Sequence, residues 1–540
     1  MPEKGPLVIF GENNAGKSNI IRALDIVLGE TWPGSFHPED HDFHLRDPQQ
    51  TPIQVNLQVD DVMMSSRAGT MAVAEFLWAF DPEDGDRPCR FDVGDAQGAV
   101  LWGNSACREQ LACAIVGADR RLHYQLSYTS KWTLLARLMR KFHERLVADP
   151  DRVDRLQASF DSVVAIFHEV EEFSRFGDEL RRMAGEFASN LKYGLDLDFS
   201  AYDPSNYYRS LRVQPTSDGQ VRSFDELGTG QEQILAVAFA YAFARAYAVG
   251  DAGLVMVIEE PEAHLHPLAQ EWLGRKISEL HGDGVQMIVT THSPAFVDLG
   301  NPGALACVRK GGIDGETIVT QHSRRALAES LQQRGASGAT GANIGPFYAA
   351  SATSEHVAGM FARACVVVEG PSEALALPQL LDTAGLDLLA LGIAVIPAGG
   401  VGAIARWLRL YEAYGIPSFA VFDSDSRDDP DGLRRRDLLL ALGEDETAYA
   451  ESVRNLEGLL VADGYAVFCP DFEVALRSML PGYDHLEEAA RAEVGATKPL
   501  VAREACRRLG IERGDGVRQS FNELATAILQ RAEPAECPET

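Results

Sequence analysis

The stretch PLVIFGENNAGKSNIIRALDIVLG constrains this chain more than any other. A short apolar run enters a loop in which Gly11, Asn14, Gly16, Lys17 and Ser18 sit in the pattern G-x-x-x-x-G-K-S. Ile20, Ile21, Leu24, Val27 and Leu28 then recur at helical spacing. A strand, a glycine loop and a helix in that order form a phosphate cradle. The glycines let backbone N–H groups close on the phosphates, Lys17 reaches their outer oxygens, and the Ser18 hydroxyl suits Mg²⁺. Such a unit belongs to an α/β fold with a parallel sheet.

At 540 residues the chain exceeds what one core supports, so about three domain-sized units are expected. No apolar run reaches the ~20 residues of a membrane span, which predicts a cytoplasmic protein with no membrane partner. The 8 cysteines contain no C-x-x-C pair, so neither a disulfide framework nor a zinc site is indicated. With 49 Lys+Arg against 79 Asp+Glu the net charge is −30, which argues against a broadly cationic nucleic-acid surface. Local basic strips remain: Arg120–Arg121 with Lys131, Arg137, Arg140 and Lys141; Arg434–Arg436; and Arg503, Arg507 and Arg508. Each reads equally well as a solvated helix face.

A second apolar run, Leu254–Ile258, ends on Glu259 and Glu260. Paired acids at a strand end suit a Walker B strand, with Glu259 on Mg²⁺ and Glu260 orienting or deprotonating an attacking water. His264 and His266 follow, but the preceding acids already account for that segment, and His37, His41 and His44 read as a polar surface loop. A third strand ends in Thr290–Thr291–His292. Leu227-Gly228-Thr229-Gly230-Gln231 precedes a long apolar helix, and a second glycine-rich helix start implies ATP sandwiched between two copies of the chain. Residues 131–195 carry helical apolar stripes, Leu134, Leu135, Leu138 and Met139, then Val163, Val164, Phe167 and Val170. These suit a dimerising insertion or a lid on the same subunit.

The order P-loop, LGTGQ, EEPEAHLHP, TTHSP resembles the ABC-type ATPases of the DNA-repair and SMC branch. The resemblance implies that the Gly228 and Gly230 segment, with Gln231, contacts the γ-phosphate of ATP held by a partner subunit, and that His292 is the switch histidine. That group usually has a strand and an aromatic adenine contact ahead of the P-loop strand, whereas here the loop starts at residue 11.

Beyond a Gly-, Ala- and Ser-rich stretch read as a linker (331–357), strand-like runs end on acids. Ala364–Val368 ends at Glu369, and Pro371 at the first helical position puts Glu373 in the first turn. A strand then meets Gly399–Gly400, another ends in Asp423-x-Asp425 with both side chains pointing one way, and a last precedes Glu473 at a helix start. Crowded carboxylates raise one another's pKa, and hard divalent cations, Mg²⁺ or Mn²⁺, relieve the repulsion.

V-E-G-P-S-E, G-G and D-x-D resemble a Toprim domain, and an ABC-type ATPase ahead of Toprim resembles the OLD (overcoming lysogenization defect) family of nucleases. The implied fold is α/β: ATPase parts over 1–130 and 196–330 around the insertion, then Toprim over 358–540. The implied metal ligands are Glu369, Glu373, Asp423, Asp425 and Glu473, with Lys498 steadying the scissile phosphate. The implied activity is ATP-linked, metal-dependent DNA cleavage by a homodimer of the stand-alone class; a helicase partner is not favoured. A DNA clamp with a silent Toprim domain is the alternative. A topoisomerase would need a further tyrosine domain and a primase a zinc motif.

Overall fold

The computed structural model describes residues 5–29, 31–47, 53–66, 69–81, 88–117, 133–171, 228–247, 253–279, 285–311, 315–425 and 435–532, with a few isolated positions besides. Contacts divide the chain into two compact units, 1–22 with 266–281 and 288–540, and 23–265 with 282–287.

Strand β1 (Leu7–Gly11) leads through the phosphate loop into helix α1 (Lys17–Leu28). In the second unit, β2 (Ile53–Ser66), β3 (Gly69–Phe80), β4 (Cys89–Gly94) and β5 (Val100–Trp102) form an antiparallel sheet in that order. Phe76, Trp78, Phe91 and Val93 alternate inward to make its core. Strand β6 (Leu111–Val116) pairs in parallel with β7 (Gly253–Glu259). The insertion holds helices α2 (Leu134–Val147) and α3 (Pro150–His168). Leu135 is buried, whereas Val163, Ile166 and, just beyond α3, Val170 are exposed. The side chains of Leu134, Leu138, Val164 and Phe167 lie outside the described residues. Helix α4 (Thr229–Tyr247) opens within the glycine-rich motif, whose Leu227 also lies outside them.

In the first unit, helix α5 (Pro267–Glu279) is followed by β8 (Val285–Thr291), β9 (Leu305–Gly311) and β10 (Glu316–Gln321). Strand β1 lies between β8 and β9, parallel to both, and β10 is antiparallel on the edge. The stretch expected as a linker is different. It contains the end of α6 (Arg324–Gln333), α7 (Ile344–Ser351) and most of α8 (Ser354–Gly359). Leu331, Ile344 and Tyr348 are buried in the core of the first unit, so apolar side chains spaced between the small residues hold the segment in place.

A five-stranded sheet follows. It is built from β11 (Ala364–Val368), β12 (Ile393–Pro397), β13 (Ser418–Asp423), β14 (Gly458–Ala462) and β15 (Tyr465–Cys469), with spatial order β12-β11-β13-β15-β14. Its strands are parallel except β14, an antiparallel edge that sequence reading did not anticipate. Helices α9 (Pro371–Thr383), α10 (Val401–Ala413), α11 (Arg436–Leu442), α12 (Phe472–Met479), α13 (Tyr483–Val494) and α14 (Lys498–Ala532) complete it. Cys365 and Val367 pack on one face while Ala364, Val366 and Val368 pack on the other, which is why β11 reads as an unbroken apolar run. From β11 the chain goes to β12 on one side and then to β13 on the other. The carboxyl ends of β11 and β13 therefore flank a topological switch point, where α/β sheets open a crevice.

The first of these two faces also takes in the phosphate-loop strand. Val8, Phe10, Leu305 and Cys307 share one core with Ile404, Trp407, Tyr411 and Tyr414 of α10 and its C-cap. The Phe10 ring lies 5.4 Å from Phe361 and 6.4 Å from Tyr414, centroid to centroid. Phe10 is fully buried, so Phe10→Ala is expected to destabilise this unit by about 3–5 kcal/mol. Urea denaturation of the purified chain checks this; an unchanged midpoint would show that the shared core does not bind the two sheets together.

Candidate active site

The crevice collects the carboxylates one element at a time. Glu369 follows the last residue of β11, and its Oε2 accepts from the Asp423 N–H at 3.4 Å, across to the end of β13. Glu373 is buried in the first turn of α9, where its Oε2 accepts from Gly370 N at 3.0 Å and closes a capping box. Asp425 departs from the expectation for D-x-D. Strand β13 ends at Asp423, and Asp425 turns out of it at φ 39°, so the pair does not share one extended segment. Both nonetheless line one cavity of about 420 Å³, together with Asp471, Glu473 and Lys498. Glu473 lies in the first turn of α12 and Lys498 opens α14, with Nζ 3.1 Å from Glu473 Oε1.

Burial pushes the Asp423 carboxyl up from its ordinary 3.8 to about 9, with Glu373, Glu369, Glu473 and Asp425 adding to the rise. Burial likewise raises Glu369, opposed by the Asp423 N–H and reinforced by Asp425 and Glu373. Burial also raises Glu373, opposed by the N–H groups of its own helix start. Burial acts to lower the Lys498 ammonium, but the adjoining Glu473 outweighs it and the net shift is upward. The cluster is thus short of positive charge.

Sequence reading missed Arg435. It had been grouped with Arg434 and Arg436 as a surface strip, yet its side chain is wholly buried. Its Nη2 donates to Asp425 Oδ2 at 2.6 Å and its Nε to the Asp423 carbonyl at 2.8 Å. Arg436 does match a solvated face, paired with Glu446 at 2.8 Å, and Arg434 lies outside the described residues. Arg507 and Arg508 of the third strip both pair with Glu504. Residues 118–132 of the first strip lie outside the described residues.

The donor set fits hard divalent cations, since all five side chains offer oxygen, and Asp423 Oδ1 is buried with no hydrogen-bond partner. Among the described residues no three ligands are already gathered as a metal cage. The reason is visible: Glu373 is turned to its helix N-terminus and Asp425 to Arg435.

The phosphate loop forms a separate site in the same unit. Gly11 (φ 144°) and Gly16 (φ 108°) are required by close approach, because a Cβ would meet the Val308 carbonyl oxygen at 2.0 Å and Thr317 Oγ1 at 2.3 Å. Asn14 takes a left-handed φ of 60°, and Ser18 is exposed. Lys17 is buried, donating to the carbonyls of Gly11 (3.0 Å) and Glu12 (2.7 Å), with His292 Nδ1 3.5 Å away. The phosphate loop and His292 therefore meet. Arg309 of β9 pairs with Glu12 at 3.1 Å and donates to the Ala362 and Arg363 carbonyls just ahead of β11. In the second unit, Glu259 ends β7, half-buried, and Glu260 adopts φ 45°. Gly228, Thr229 and Gln231 are exposed at the start of α4, where Gln231 N donates to the Gly228 carbonyl at 2.8 Å.

Fold and site together define a P-loop ATPase joined to a Toprim domain. Residues 118–298 match the AAA-domain family associated with the AbiEii toxin of type IV TA systems, and 360–425 match the TOPRIM domain of overcoming lysogenization defect-like proteins. The chain is 28% identical over 495 residues to the OLD nuclease of Thermus scotoductus, covering 87% of this chain and 88% of that protein. Among solved structures, it is similar to the C-terminal region of the Burkholderia pseudomallei OLD protein (20% identity, 32% of this chain and 100% of that one, TM-score 0.25). It is also similar to the SMC head domain from Thermotoga maritima (14% identity, 58% and 89%, TM-score 0.25). In its domain content and along most of its length, the chain is similar to the OLD family. No helix among the described residues is long and apolar enough to cross a membrane.

The raised carboxylates predict a pH dependence. With Asp423 at about 9 when folded and near 3.8 when unfolded, the folded state holds the extra proton between those values. That contribution to stability is complete at low pH and is lost as pH rises through the window. In EDTA the Tm is expected to fall between about pH 6 and 9, and Mn²⁺ should flatten the fall. A Tm that rises over this range in EDTA would contradict the charge assignment.

Proposed function

We propose that the chain is an ATP-binding and ATP-hydrolysing DNA endonuclease that requires a divalent cation, Mg²⁺ or Mn²⁺, and cuts phosphodiesters at the β11–β13 crevice. The observation that carries this reading is Asp423, a half-buried carboxylate whose buried Oδ1 has no hydrogen-bond partner, among four further acids. Glu369, Glu373, Asp423, Asp425 and Glu473 would hold two cations, which when bound stabilise the attacking and leaving oxygens. Lys498 would face the developing phosphate charge from the opposite wall. Arg435 would keep Asp425 oriented through one carboxylate oxygen.

At the nucleotide site, Lys17 would leave the loop carbonyls for the β- and γ-phosphates, Ser18 and Glu259 would serve Mg²⁺, and Glu260 with His292 would handle the attacking water. Gly228, Gly230 and Gln231 would serve ATP on a second copy, which makes the working form a homodimer. Exposed Val163, Ile166 and Val170, at helical spacing on and just past α3, give the insertion an apolar face that suits such pairing. Phage defence or DNA repair are the roles that fit this chemistry. A clamp with a silent Toprim site is the second reading, and retention of all five acids weighs against it.

Purified protein incubated with supercoiled plasmid and Mg²⁺ or Mn²⁺ should nick or linearise it, and Glu369→Ala should lower the rate at least about 100-fold. Lys17→Ala should abolish ATP hydrolysis. Plasmid left intact by wild type under every metal condition, with DNA binding retained, would favour the clamp.

A further inference from the structure

The cavity lined by Asp423, Asp425 and Glu473, which Glu369 and Glu373 do not reach, has a second wall that carries cations. Helix α12 presents Glu473 and, four residues later on the same face, Arg477, about one turn or ~5.4 Å further along. Arg491 of α13 and Lys498 of α14 line the same cavity. Arg477 and Arg491 are held by one carboxylate. Glu487 Oε2 accepts from Arg477 Nη2 at 2.7 Å and its Oε1 accepts from Arg491 Nη2 at 3.0 Å. Glu487 is only 13% exposed, and Arg477 Nε is further fixed by Asp484 at 2.8 Å.

These ion pairs contribute little to stability. The Arg491 side chain is 60% exposed and that of Arg477 39%, and water screens pairs so open. What the network achieves is orientation. A guanidinium has five N–H donors, so one anchored through Nη2 keeps others for a second anion. The anion the site calls for follows from charge. The chain carries −30 overall, and the acid wall repels a polyanion still more, so a phosphodiester strand entering the crevice needs local cations beside the reacting position.

We infer that Arg477 and Arg491 form a phosphate subsite, binding backbone phosphates of the nucleic-acid strand next to the one that reacts at the Asp423–Glu473 end, with Glu487 as their positioning residue. The subsite deepens the nuclease reading and rests on it for the choice of ligand. Its position, one helical turn from Glu473, matches a neighbouring nucleotide on the same strand. Bidentate guanidinium contacts would fix the strand's direction across the crevice.

The test uses the full chain, a short fluorescein-labelled DNA duplex and Ca²⁺, with anisotropy titrations between about 50 and 200 mM salt. The Arg477→Gln/Arg491→Gln double variant should weaken binding and reduce the slope of log K against log salt by about 2, one per lost phosphate contact. Glu487→Gln, which keeps both cations but loosens their orientation, should weaken binding yet keep the wild-type slope, and Arg325→Gln, which removes an exposed charge elsewhere, should leave both affinity and slope unchanged. A folded double variant with the wild-type slope overturns the subsite, as does an equal loss of slope in Glu487→Gln, because that would trace the effect to helix packing. Plasmid cutting by wild type is scored separately. An intact plasmid with the predicted slope change leaves the subsite standing and removes the nuclease reading instead.

Discussion

The interaction on which the rest depends is the repulsion among carboxylates held at the carboxyl ends of β11 and β13. The sheet topology places them there: the chain crosses from one side of β11 to the other between β12 and β13, and the two strand ends open on one crevice. Asp423, Glu369 and Glu373 are all raised by burial first, and neighbouring carboxylates add to the rise. Within the described residues Arg435 is spent on Asp425, Lys498 is paired with Glu473, and Arg477 and Arg491 across the cavity are held by Glu487. A cluster so short of countercharge holds protons or cations, and only the second state suits hydrolysis of a phosphodiester.

The same unit joins this crevice physically to the phosphate loop. Phe10 of the loop strand lies in one core with Trp407 and Tyr411, and Arg309 ties Glu12 of the loop to the two carbonyls that precede β11. Any change in the loop that moves Glu12 is thus felt at the base of the strand whose far end carries Glu369. The link is short, and its apolar part, Phe10 with Trp407 and Tyr411, is fully buried and packed densely enough to transmit displacement.

Much of this was legible from residue order. Ala364–Val368 could be read as a doubly buried strand because no polar residue interrupts it, and Pro371 with Glu373 marks a helix start by its chemistry alone. The phosphate loop carried its own glycine signature. Other features depended on contacts distant in sequence. Arg435 lies among three arginines whose local pattern is that of a solvated face, and only the fold shows it turned inward to Asp425. The 331–357 stretch is rich in small residues, which suggested a loose linker. Its order comes from Leu331, Ile344 and Tyr348 meeting α10, a partner no local window contains. The bend at Asp425 likewise overrides the alternation of a strand, because β13 has already ended.

The proposed cation site is five carboxylates kept partly protonated until metal arrives. Calorimetric titration of Mn²⁺ into the full chain near neutral pH, repeated in buffers of different ionisation enthalpy, measures this directly. Binding is expected to be accompanied by proton release, with both lost in Asp423→Asn. Mn²⁺ binding without proton release, or binding undiminished in Asp423→Asn, would contradict it.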